Sequence, residues 1–119
     1  MLKPKKKKTD KFRNFGTDWN LREMYRYFNR KYFSNRLPKD MPVSFRKINT
    51  LGNTIIHPQT FRPLYIQITD RIRFSSRLSM ATVLHEMLHV AHPEKRGHRG
   101  WFDKEMLKLV KRGAMNGLW

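Results

Sequence analysis

Seventeen residues, SRLSMATVLHEMLHVAH (76–92), leave this chain few ways to fold. They hold neither proline nor glycine, and Pro93 follows them, so the pattern predicts a helix from Ser76 or Ser79 to His92. Met80, Val83, Leu84, Met87, Leu88, Val90 and Ala91 cover nearly every side of that helix. A helix apolar all round has to be enclosed by other elements, so the rest of the chain must wrap it. Yet His85, Glu86 and His89 sit in its middle. Residues four apart on a helix differ by about 40° in azimuth and about 6 Å in height, so the two imidazoles leave one face and can close on one ion. Burying two histidines and a glutamate carries a desolvation cost that a metal or a polar partner must offset. H-E-x-x-H on a helix is the arrangement in which two histidines bind Zn2+ and the glutamate serves as acid and base.

The wrapping elements are legible on either side. Leu21, Met24, Tyr25, Phe28 and Tyr32 form an apolar stripe from Asp18 or Asn20 onward, with Asn20 and Glu23 as a capping box. Leu37-Pro38 and Met41-Pro42 end that helix, because a residue before proline is pushed out of the α region. Residues 43–48 and 64–69 alternate as half-buried strands, and 54–56 read as a third strand. A last helix, Gly100 to Arg112, sets Phe102, Met106, Leu109 and Val110 on one side and lysines on the other. The expected fold is α+β: a small, mainly antiparallel sheet packed on the N-terminal helix and the buried H-E-x-x-H helix, with a C-terminal helix. A length of 119 residues suits one domain, expected over 18–119.

Cysteine is absent, so a metal has to sit on His, Asp or Glu. A catalytic zinc takes three protein ligands and leaves one position open. The third candidates are His92, Glu94, His98, Asp103 and Glu105. His92 shares the helical face but lies about 10 Å along the axis from His85, too far to reach the same ion easily. Glu105 would suit a carboxylate from the next helix. His98 has the better geometry, because the segment after Pro93 lets the chain fold back over the metal. Lys95 stands where the longer H-E-x-x-H-x-x-G-x-x-H pattern needs its last histidine, which excludes that class.

The formal charge is +17, from 26 Lys and Arg against 9 Asp and Glu. Its local peak is Lys3 to Arg13, where seven basic residues meet one aspartate. Such a block repels itself, which predicts a flexible basic arm over 1–17 that can lie along a polyanion such as DNA; a solubilising tail is the plainer alternative. No apolar run approaches the ~20 residues needed to span a bilayer, and the N-terminus lacks the apolar stretch of a secretory signal. No membrane partner is therefore expected, and the expected location is cytoplasmic, nucleoid-associated, or nuclear in a eukaryote.

From Leu21 to Val110 the chain resembles the SprT-like metallopeptidase domain, the family of the Spartan proteases. The resemblance rests on Phe28-Asn29 and Tyr32-Phe33 in a helix closing on Leu37-Pro38, on Ile66-Gln-Ile-Thr69, on Thr82-Val-Leu-His-Glu-Met-Leu-His89, and on His98 with Phe102 four residues later. It implies a zincin-like fold, zinc on His85, His89 and His98, and Glu86 as the catalytic acid and base. It further implies a zinc metalloendopeptidase acting through a zinc-activated water on proteins associated with DNA. His98-Arg99 departs from the usual His-Gly of the family, and the Cys-based zinc ribbon of many bacterial members is missing. The rival is a non-catalytic, zinc-stabilised basic DNA-binding protein, which needs the histidines and has no use for Glu86.

Overall fold

A computed structural model describes residues 16–95 and 100–114. Helix α1 (Asp18–Tyr32) is followed by strands β1 (Val43–Arg46), β2 (Gly52–Ile56) and β3 (Pro63–Thr69), a 3-10 turn at Asp70–Ile72, and helices α2 (Ser76–Ala91) and α3 (Gly100–Lys111). The apolar stripe of α1 is buried throughout, from Leu21 to Tyr32. Its cap is one turn earlier than the sequence suggests: Thr17 Oγ1 accepts from the Asn20 backbone N–H at 3.2 Å, while Asn20 itself is buried inside the first turn. Gly16 and Thr17 are therefore part of the domain, and the remainder of the expected arm lies outside the described residues.

The helix also stops five residues before Leu37. Ser34 and Asn35 take positive φ, and buried Asn29 binds the Leu37 peptide from both sides, Nδ2 to the carbonyl at 3.0 Å and Oδ1 from the N–H at 3.1 Å. A side-chain amide thus stands in for a peptide partner and turns the chain more sharply than the prolines require. Tyr25 Oη donates to the Pro38 carbonyl at 2.6 Å, tying the same loop to the middle of α1.

The sheet is mixed, and this corrects the mainly antiparallel expectation. Its order is β1-β3-β2, with β3 central, parallel to β1 and antiparallel to β2. Strand β1 alternates in burial, as does β3 over Ile66–Ile68, but alternation fixes which face is buried and not which strand lies beside it. Val43 and Phe45 align with Ile66 and Ile68, and these four are buried. The outer edge of β1 is closed by α1, since Asp18 Oδ1 accepts the Phe45 N–H at 2.8 Å. The outer edge of β2 is the one that borders the cleft described below.

Helix α2 touches α1, β2, β3 and α3, which accounts for its apolar residues on every side. Met80, Val83, Leu84, Met87 and Leu88 are all buried. Helix α3 buries Phe102 and Leu109, half-buries Met106 and leaves Val110 outside. Arg112 then donates to the Tyr32 and Lys31 carbonyls at 2.9 and 3.2 Å, so the end of α3 caps the C-terminus of α1.

Candidate metal centre and cleft

Helix α2 begins at an N-cap, Ser75, whose Oγ accepts from the Leu78 N–H at 3.1 Å, and ends at His92 ahead of Pro93. Between these ends its register turns His85 and His89 to one face, where both are half-buried, and Glu86 inward, where it is 4% exposed. The two imidazole centroids are 5.5 Å apart. Phe102, near the start of α3, lies against both, 4.5 Å from the His85 ring and 5.4 Å from the His89 ring. Trp101 meets His89 and His92 edge-on, and Lys95 Nζ lies 5.5 Å from the Trp101 centroid. Aromatic side chains of α3 therefore fix the orientation of the imidazoles from one side.

Strand β2 holds Glu86 from the other. Thr54 Oγ1 lies 2.9 Å from Glu86 Oε1 and 3.1 Å from the Glu86 backbone carbonyl, and its single proton serves one of them at a time. Two residues earlier on the same strand face, Gly52 leaves room for the second carboxyl oxygen. A Cβ at Gly52 would stand 3.2 Å from Glu86 Oε2, 2.9 Å from Thr82 Cγ2 and 3.1 Å from the Gln67 carbonyl oxygen. Oε2 faces His85, at 3.9 Å from its Nε2. Burial pushes the Glu86 carboxyl up to about 7, and the Thr54 hydrogen bond opposes that rise.

These groups border a cleft of about 480 Å³ lined by residues 52–58, Phe61, His85, Glu86, His89, Pro93 and Lys95. Two imidazoles on one helical face, open to a cleft and flanked by a buried carboxyl, supply two of the three donors a catalytic zinc takes, with an acid beside them. His85 and His89 fit such an ion as two of its ligands. Among the described residues no group of three His, Cys, Asp or Glu side chains is placed to hold one. His98 lies outside the described residues. His92 and Glu105 line a second groove, of about 650 Å³, between α1, α2 and α3, and Glu105 pairs with Lys108 at 3.2 Å. Asp103 and Glu94 are exposed.

Gly52 and Thr54 escape a reading of the sequence. Their role comes from β2 lying across α2, a contact between residues 32 apart for which a single sequence carries no local signal. His57 lines the cleft as well, whereas Asp70 opens the 3-10 turn and Tyr65 is exposed on β3. No family model matches the chain, and neither the curated proteins nor the solved structures yield a match to it.

Proposed function

We propose that the chain is a zinc-dependent endopeptidase of SprT-like type, with a zincin-like core, that cleaves proteins bound to DNA. The observation that carries the proposal is the Glu86 carboxyl, held by β2 beside two cleft-facing imidazoles. A purely structural zinc site gains nothing from a buried carboxyl there and bears its desolvation cost. In this proposal His85, His89 and His98 hold the ion, which supplies Lewis acidity toward a scissile carbonyl and acidifies water. Glu86 takes a proton from the attacking water and returns it to the leaving nitrogen. In the metal-free chain burial holds that carboxyl above the ordinary glutamate value, toward the range in which a group both takes and gives a proton near neutral pH.

The polyanion half of the proposal rests on charge. Arg46, Lys47, Arg71 and Arg73 are exposed at one end of the sheet, and Arg73 packs on Gly16, where the basic N-terminal run joins the domain. No helix among the described residues is long and apolar enough to cross a membrane. The test is turnover by the zinc-loaded chain of a basic protein bound to single-stranded or duplex DNA, with and without the DNA. Cleavage stimulated by DNA is expected. Stoichiometric zinc and tight DNA binding with no cleavage of any substrate would favour the non-catalytic rival.

A further inference from the structure

We propose that His57 is a catalytic residue of the same cleft, its Nε2–H donating to the carbonyl oxygen of a bound peptide as negative charge builds there. The proposal rests on the peptidase function above. Strand β2 leaves the sheet through an irregularity at Ile55/Ile56 and enters a tight turn. That turn is closed by two backbone hydrogen bonds, His57 N–H to the Arg62 carbonyl at 2.8 Å and Phe61 N–H to the His57 carbonyl at 2.9 Å. Inside it, the N–H groups of Gln59 and Thr60 both donate to His57 Nδ1, each at 3.2 Å.

This fixes the tautomer. A ring nitrogen that accepts two N–H donors carries no proton of its own, so the neutral imidazole carries its proton on Nε2. A metal-ligating histidine needs the reverse, a bare nitrogen toward the ion and an N–H on the other nitrogen given to an acceptor. His57 is therefore built as a donor, chemically distinct from His85 and His89, although all three line one cleft.

The turn also stores strain at this wall. Phe61 sits at φ +58, a conformation bulky side chains rarely adopt, and it lines the cleft beside His57. Main-chain groups hold the imidazole, so the donor is in place before substrate arrives. Fixed donors of that kind stabilise an oxyanion most effectively. In the reaction, the water oxygen forms the new C–O bond and the carbonyl π pair moves onto oxygen. His57 donates a hydrogen bond to that oxygen and keeps its proton. The proton taken by Glu86 goes to nitrogen as the C–N bond breaks.

The experiment compares wild type, His57→Ala and His57→Asn, all zinc-loaded, with labelled casein as substrate and a phosphinic peptide as a mimic of the anionic tetrahedral group. His57→Ala is expected to lower kcat by about 10²–10³-fold, with KM little changed, and to weaken the phosphinic peptide by a similar factor. Zinc content and thermal midpoint should match wild type. His57→Asn, which keeps an acceptor for the turn and an N–H donor, should recover part of the loss. Nitrogen NMR of the metal-free protein should show the Nε2–H tautomer at His57. An Nδ1–H tautomer, a His57→Ala variant with wild-type kcat, or a kcat loss with undiminished phosphinic-peptide affinity would each overturn the proposal. A wild type that cleaves nothing overturns the peptidase function and this proposal with it; an active wild type and an equally active His57→Ala overturn this proposal alone.

Discussion

Glu86 is held in a small set of contacts whose individual contributions can be separated. Thr54 lowers its carboxyl by hydrogen bonding while burial raises it, and burial wins. Thr54→Val removes the hydroxyl and Thr54→Ser keeps it. The valine variant should lose about tenfold in kcat/KM, near the ~1.4 kcal/mol of one hydrogen bond, and its acid limb should move to higher pH; the serine variant should do neither. A pH profile of the three proteins checks this. The same carboxyl makes a stability prediction for the metal-free chain. Its folded value of about 7 stands above the 4.5 of the unfolded chain, so between these two pH values the folded state binds the extra proton and stability falls as pH rises. Glu86→Gln removes that dependence. In urea at pH 8 the metal-free glutamine variant should be more stable than wild type by about 2–3 kcal/mol, and near pH 4 the two should coincide. The common face of His85 and His89 is legible from their spacing alone, because four residues of helix bring the second imidazole round to the first, and Glu86 follows one position on. Thr54, Gly52 and the tautomer of His57 are not legible, since each depends on a strand or turn folded against something distant.

At the scale of elements, β2 couples fold to site. One face of the strand supplies the Thr54 hydroxyl and the side-chain-free Gly52, and its exit turn supplies His57. Gly52→Ala puts a methyl against Thr82 Cγ2 and the Gln67 carbonyl oxygen, and the backbone atom cannot swing away. Overpacking of this kind costs about 1–3 kcal/mol, and the added methyl also presses on Glu86 Oε2, so activity should fall further than stability. Denaturant midpoints and kcat measured on one preparation separate the two effects. The three helices and strands β1 and β3 follow from periodicity, whereas β2 has no alternation to announce it and starts at Gly52, two residues before the expected 54–56. Helix ends are less well encoded: Thr17 displaces Asn20 as cap, and Asn29 closes α1 ahead of Leu37. Strand order is not encoded locally at all, and the β1–β3 parallel pair arises because β3 returns from the hairpin with β2 to lie between the two.

Across the whole molecule, charge and chemistry are separated. A formal +17 is spread over a chain whose candidate reactive groups are a few histidines and one buried glutamate, so in the proposed function the charge would concentrate the chain on a polyanion and the cleft would carry the chemistry there. Deleting residues 1–13 removes seven basic residues and should reduce the slope of log affinity for DNA against log salt; an unchanged slope would assign the phosphate contacts to the domain surface around Arg46 and Arg71. In the proposed mechanism zinc retention and cleavage would be separable in the same way, because its ligands and its proton carrier are different side chains. The most direct measurement is therefore turnover of a DNA-bound protein by zinc-loaded Glu86→Gln beside wild type, with metal content determined on both samples. The glutamine variant should keep its zinc and lose cleavage by at least about 10³-fold. Undiminished cleavage with zinc in place would contradict the assignment of Glu86 and the peptidase mechanism built on it.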